Sequence, residues 1–440
     1  MADRKKTKKT LKDDDKRDLA DPRDAEVKKG KRRRLNVTHM EEIRWDSDRV
    51  FRENPYYLRL ATRYKIVKYI TIVLALVFGV TMLTMFSGDI TAENFQYLIK
   101  DLDLSGFANG YDFDTLLYNG GSNSVFGIYR GEMAVVSPGT VSLYKPSAAL
   151  SLNKSNIFYN PKLLTSDKYF LVYDRGDTSR SYSVFNSFAE LKTETYPYPI
   201  TGAAIADSGY YALVTRDDSF RGIIRMYDDS FRQVMKIEKD KFILSIDLSH
   251  DGKTLAIASV YDQGGDYVAE VMTVRVGEEK PAAIVEEKGS LPLKIKFMKD
   301  GNIGVLYSDR AVIYNADATK RAEYYYSSMA SVHAEIGESY VCAVYNTSVI
   351  GNDKTVVIYD TEGHTLFTTD LKGELLSIVP NGNTICLLFE DNVVSLDVTE
   401  KSIKTLQVEP NAIEIVFSGD TPIICYSGKA VALHFDAVDE

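Results

Sequence analysis

One short pattern recurs along the second half of the chain: an apolar run, a tight polar turn carrying glycine, then another apolar run. The copies are IADSGYYALVT around Gly209, DLSHDGKTLAIAS around Gly252, KFMKDGNIGVLYS around Gly301, HAEIGESYVCAVY around Gly337, SIVPNGNTICLLFE around Gly382 and IVFSGDTPIICYS around Gly419. Successive glycines stand 43, 49, 36, 45 and 37 residues apart. An earlier copy, LLTSDKYFLVYD at Asp167, lacks the glycine. Asp-Gly or Asn-Gly between apolar runs is hairpin chemistry. A second turn then leads to strands such as IIRMYD, AVIYNA and VVIYDT. Four short strands per period of roughly 40 residues make the blade of a β-propeller. One blade cannot bury both of its faces, so the units must close into a ring.

The phasing predicts inner strands starting near Val125, Phe158, Gly202, Phe242, Leu293, Val332, Leu375 and Ala412. The last unit has room for three strands, and a spare strand at 114–118 can supply the fourth and latch the ring. The expectation is an all-β, eight-bladed propeller, with seven blades as the alternative if the Val125 unit is not a true blade. Cys342, Cys386 and Cys425 fall in the second strand of three successive units, where they read as buried small apolar groups.

The segment LSHDGKTLAIAS at 248–259 resembles the S-x-D-G-K-x-L-A turn of TolB-like and WD40-like bacterial propellers. The chain departs from true WD40 repeats, because no Trp-Asp or Gly-His pair closes a unit. Its layout is also similar to an uncharacterised family of single-pass propeller proteins from Gram-positive bacteria.

That layout rests on residues 69–88, YITIVLALVFGVTMLTMFSG, which hold no charge. Twenty residues of helix rise about 30 Å, enough to cross the hydrocarbon core. Residues 1–68 carry 22 Lys/Arg and 13 Asp/Glu, leaving 31 and 49 to the rest. A basic end and an acidic body divided by an apolar segment suggest two compartments. Arg59, Arg63, Lys65 and Lys68 place the N-terminus in the cytoplasm by the positive-inside rule. The reading is a single-pass signal anchor in the cell membrane with the C-terminal domain extracytoplasmic. Three cysteines and no disulfide framework fit a bacterial surface protein.

The domain boundaries expected are a disordered basic tail at 1–35, a cytoplasmic juxtamembrane segment at 36–65, a transmembrane helix at 66–88, a stalk helix and linker at 89–112, and the propeller at 113–440. The KKGKRRR run at 28–34 reads as a solvated, orienting tail rather than a nucleic-acid site. Trp45, Phe51, Tyr56 and Tyr57 are aromatic groups among charges, with Pro55 as a break. They suit either docking to a cytoplasmic partner or an interfacial aromatic belt.

Chemistry is sparse. Quinone-dependent propeller enzymes dock blades with repeated tryptophans, and no Trp follows Trp45. His250, His333, His364 and His434 are scattered, with no H-x-x-H or C-x-x-C spacing. No P-loop or G-x-S-x-G occurs. No metal and no cofactor is expected.

The polar hairpins DRGDTSR (174–180), RDDSFR (216–221) and YDQGGD (261–266) occupy the same place in consecutive units. They could form one recognition patch from Arg175, Arg180, Arg216, Asp217, Arg221, Tyr261 and Asp262, against the plainer reading of ordinary hairpin tips. Tyr324, Tyr325, Tyr326, Tyr196 and Tyr198 could stack on sugars, or fit an outer pleated surface. The function expected is a non-enzymatic scaffold that binds an unknown protein or cell-wall partner. The alternatives are a cell-envelope hydrolase or lyase working at the channel, and a ligand sensor. Clustered carboxylates with raised pKa in the channel would favour the enzyme, and an apolar rim the binding module.

Overall fold

A computed structural model describes residues 55–85, 114–176, 179–278, 280–326, 332–347 and 352–435. The tail, Trp45, Phe51 and the 89–112 segment lie outside them. The chain divides into two units, Met1–Asp103 and Leu104–Glu440.

In the first unit, the described residues form one helix, Pro55–Met85. Pro55 is the first residue of this helix. Proline suits the first helical turn, where its missing N–H has no partner to lose. Tyr56 and Tyr57 therefore belong to the helix, although their side chains lie outside what is described. The part Thr62–Thr81 is long and apolar enough to cross a membrane, and none of it is buried against protein. The hydroxyls of Thr71 and Thr81 donate to the carbonyls of Val67 (2.9 Å) and Val77 (2.8 Å). Neither hydroxyl proton is left unpaired, as a lipid environment requires.

The second unit is an eight-bladed propeller of eight four-stranded antiparallel sheets. The first strands of blades 1 to 8 are Val125–Tyr129, Pro161–Thr165, Ile200–Ile205, Phe242–Leu248, Pro292–Phe297, Val332–Ile336, Leu375–Asn381 and Glu414–Ser418. The Val125 unit is a full blade, so the seven-bladed alternative falls. Blade 8 combines Glu414–Ser418, Thr421–Cys425 and Lys429–Ala432 with Thr115–Leu117 from the other end of the domain. First strands of successive blades approach one another around most of the ring, blade 8 against blade 1 included, while the first strand of blade 6 meets the second strand of blade 5.

Burial follows position in the blade. The second strands FLVYD, YALVT and IGVLY are buried throughout, and a strand covered on both faces needs a continuous apolar run. Fourth strands such as Gln233–Lys239 and Ala283–Lys288 alternate, since one face meets water. The core is accordingly divided: each seam between consecutive blades holds its own apolar cluster. Cys342, Cys386 and Cys425 lie in these layers as buried free thiols. Burial pushes the Cys342 and Cys386 thiols up to about 12, which makes them poor nucleophiles.

The repeated turns interlock from blade to blade. The Ser208 amide in blade 3 donates to the His250 carbonyl in blade 4 (3.3 Å), and His250 Nδ1 stands 2.7 Å from Asp207 Oδ2. Gly252 has φ +69°, and a Cβ there would stand 2.6 Å from Ser208 Oγ and 2.7 Å from the Cβ of Tyr210. Both the backbone and the neighbouring blade demand glycine in this turn.

Four first strands carry a bulge at the same place. The register shifts between Ile200 and Gly202, Ile243 and Ser245, Pro292 and Lys294, and Leu375 and Ser377. The skipped residues are Thr201, Leu244, Leu293 and Leu376. A bulge leaves one residue unpaired and re-aims its side chain. Here it leaves the three leucines 44%, 58% and 46% exposed at the starts of the inner strands.

Candidate functional site

In a four-stranded meander the start of the first strand and the loop between the second and third strands lie at the same end. The bulged residues and the three polar hairpins therefore share one rim. A cleft of ≈ 440 Å³ opens here among the inner strands of blades 2 to 5. Its charged lining is Lys162, Arg175 and Lys294, and its apolar lining includes Ile243 and Leu244. Lys294 is paired with Glu335. Neither Lys162 nor Arg175 has a carboxylate ion-pair partner among the described residues, although the charge of Lys162 reaches Glu414.

Arg175 is held at the cleft by Asp174, which is 5% exposed. The amides of Tyr159 (3.1 Å) and Asn160 (2.6 Å) donate to Asp174 Oδ1, and the Ser179 hydroxyl donates to Oδ2 (2.8 Å). The Arg175 amide donates to the Asn160 carbonyl (3.0 Å), and the Asn160 side chain donates to the Arg175 carbonyl (3.1 Å). One buried carboxylate thus clamps the connector from blade 1 to the hairpin of blade 2. The clamp ties the segment carrying Tyr159, which is 80% exposed, to the residue before Arg175.

The other sequence-derived residues separate by role. Arg180 and Arg216 are exposed on their hairpins. The Arg221 guanidinium lies 4.9 Å from the Phe242 ring centroid, and so bridges blade 3 to blade 4. Asp217 closes its own turn by accepting from the amides of Ser219 and Phe220, each 2.8 Å. Asp262 accepts from the Gly265 amide at 3.3 Å. The Tyr261 hydroxyl donates to Glu286 (2.8 Å) and its ring carries Lys241 at 4.0 Å, which draws it toward the outer strand of its own blade. Of the seven, only Arg175 lines the cleft. Lys162, Lys294 and the bulged leucines were not singled out by sequence. The one available signal was a doubled apolar pair such as Ile243-Leu244 or Leu375-Leu376, which breaks the alternation of a half-buried strand.

The tyrosines considered for sugar stacking are mostly structural. Tyr196 is buried in the connector between blades 2 and 3, with its hydroxyl bonded to that of Tyr227. Tyr198 donates to Asp218 (3.0 Å). Tyr324 stacks on Tyr359 of the next blade at 4.2 Å, while Tyr325 is 66% exposed.

Two carboxyls on inner strands are pushed upward by burial: Asp247 of blade 4, up to about 6, and Glu414 of blade 8. Each accepts from a backbone amide of the next blade's inner strand, Phe297 at 2.7 Å for Asp247 and Phe126 for Glu414. The Ser245 hydroxyl likewise accepts from the Ile295 amide (3.2 Å). These side chains cap the edge of a strand that has no neighbour on its channel side. Blades 4 and 8 are opposite in an eight-membered ring, so the two carboxyls do not form a catalytic pair. Among the described residues no group of three His, Cys, Asp or Glu is placed to hold a metal ion.

The Asp247 shift has a thermodynamic consequence. Its folded pKa lies above the unfolded value of about 3.9, so the unfolded chain loses this proton first. Stability from this group is full below about pH 4 and falls as pH rises toward 6 and beyond. Asp247→Asn keeps an oxygen for the Phe297 amide. It is expected to raise stability by about 1 kcal/mol at pH 7.5 and to change little at pH 4. Thermal melts at the two pH values check this, and an equal shift at both would contradict it.

A family model described as a family of unknown function, DUF5711, matches residues 117–430. No curated protein matches the chain. Among solved structures, BamB from Moraxella catarrhalis superposes with a TM-score of 0.51 at 12% identity, over 73% of this chain and 98% of that one. At that identity the likeness bears on the propeller fold alone.

Proposed function

Starting from the fact that the chain belongs to the DUF5711 family, whose function is unknown, we propose that it is a membrane-anchored module whose propeller rim binds a protein partner. The observation that carries this reading is the bulged rim, where Leu244 is held out to solvent in the cleft lined by Lys162 and Arg175, and the same bulge turns out Leu293 on blade 5 and Leu376 on blade 7. Exposed apolar side chains grouped at a cleft mark interaction surfaces. The helix Pro55–Met85 supplies the anchor, with Arg59, Arg63, Lys65 and Lys68 on the cytoplasmic side and the propeller outside. That layout suits single-pass proteins of Gram-positive bacteria. A glycoside hydrolase of the two-carboxylate kind would need paired acids, whereas the two carboxyls of raised pKa cap strands on opposite blades.

Site-specific photocrosslinking in intact cells tests the proposal. A benzoylphenylalanine at Tyr159 or Leu293 is expected to give one adduct of defined mass, and one at Lys253, in a turn at the far end of blade 4, none. Equal labelling at both ends, or none at the rim, would remove the support for a binding rim.

A further inference from the structure

The rim cleft has a chemistry that narrows the partner. Residues 69–440 carry 31 Lys/Arg and 49 Asp/Glu, yet the charged side chains lining this cleft are Lys162, Arg175 and Lys294. Glu335 satisfies Lys294, and Glu414, on the blade 8 side, is engaged with the Phe126 amide. Lys162 and Arg175 are thus left with positive charge to offer a ligand. An acidic body that gathers cations with no carboxylate ion-pair partner among the described residues in one concavity is complementary to negative charge and steers it there.

The cleft is also partly apolar. Ile243 and Leu244 line it, Tyr159 is 80% exposed in the segment clamped to Asp174, and Leu293, next to the lining residue Lys294, is turned out on blade 5. A free phosphate or a sugar acid would use the cations and leave these side chains in water. A ligand with carboxylates and branched apolar side chains in alternation would use both.

The cleft volume, ≈ 440 Å³, lies inside the range of about 300–1,000 Å³ common for ligand clefts. That suits a few residues of extended chain and not a folded domain.

Resting on the binding-module reading above, we infer that the rim cleft of blades 2 to 5 seats an extended, acidic and apolar peptide segment of a partner protein. Lys162 and Arg175 take its carboxylates, and Leu244, Leu293 and Tyr159 take its apolar side chains. Asp174 is a positioning residue, because it fixes Tyr159 and Arg175 together without facing the ligand.

The test is fluorescence anisotropy with the full chain in detergent micelles and a fluorescein-labelled peptide of alternating glutamate and leucine. The expected result is saturable binding that weakens as salt rises. The matched glutamine–leucine peptide should bind at least about tenfold more weakly, as should the glutamate–leucine peptide to the Lys162→Gln/Arg175→Gln double variant. Arg175 is exposed and Lys162 half-buried, and an unchanged melting midpoint would show that the double variant is folded. Lys253→Gln at the far end should bind as the unchanged chain does. Equal affinity for the two peptides overturns the inference and requires no variant. So does full binding by the double variant, or displacement of the peptide by polygalacturonate but not by unlabelled peptide. If the peptide fails while the Tyr159 and Leu293 crosslinks persist, the partner chemistry is wrong and the binding rim stands. If those crosslinks are missing as well, the reading beneath it has failed.

Discussion

Leu116→Asp is expected to open the ring. Leu116 belongs to the strand Thr115–Leu117, which pairs with the other end of the domain: Thr115 with Val431, Leu116 with Ala430 and Leu117 with Lys429. The side chain is 1% exposed and packs with Phe126, Val135, Ile423 and Cys425 in the seam between blades 8 and 1. Next to it, the Tyr118 hydroxyl donates to the carbonyls of Tyr426 (2.6 Å) and Lys429 (2.7 Å). Truncating a buried leucine costs about 2–5 kcal/mol, and an unpaired buried carboxylate costs more. Against a total stability of about 5–15 kcal/mol, the strand should detach. Hydrogen exchange should show Lys429–Ala432 losing protection first, because it then forms the open edge of a three-stranded blade. Unchanged protection there would show that the ring closes without this strand.

Arg310→Ala should be the most damaging single loss of charge. The Arg310 side chain is 7% exposed and pairs with Glu287 (3.2 Å) of blade 4 and with Asp309 (2.8 Å) and Glu323 (2.8 Å) of its own blade. Its guanidinium lies 4.9 Å from the Tyr307 ring centroid and donates to Ser290 (2.9 Å) in the connector between blades 4 and 5. Removing it leaves three carboxylates near one another, Glu287 and Glu323 with Lys320 as their remaining ion-pair partner and Asp309 with the Ser290 hydroxyl. Breaking a buried pair costs about 3–5 kcal/mol, whereas a well-packed apolar replacement is often neutral. The carboxylates retain some solvent, so the lower end applies: about 3 kcal/mol for Arg310→Ala, and under about 1 kcal/mol for Arg310→Met. Lysine should rescue poorly, since it lacks the planar fork. Urea unfolding of the three variants decides the matter. Equal loss by alanine and methionine would mean that packing, not charge, is what Arg310 contributes.

The two variants test the features that were least legible in the sequence. Turn chemistry is local, so Asp-Gly and Asn-Gly between apolar runs marked the units, and the spare strand at 114–118 followed from the missing partner in blade 8. Seam contacts are not local. Arg310 and Glu287 are separated by 23 residues and meet only because consecutive blades stack. The hairpins carried a similar ambiguity. Asp217 and Arg175 look alike as polar tip residues, yet one closes its own turn and the other lines the cleft.

The structure decided eight blades over seven; by itself the sequence determined the apolar segment, the repeating four-stranded units, the latch and the burial of the three cysteines. Each of these follows from side-chain alternation, turn residues and run length, which act within a few residues along the chain. Only the tertiary structure decided where binding chemistry gathers. The bulges that turn out Leu244, Leu293 and Leu376, and the convergence of Lys162, Arg175 and Lys294, depend on the register of paired strands and on closure of the ring. Closure brings together the first strands of units roughly 40 residues apart, and no local pattern encodes what those strands will face.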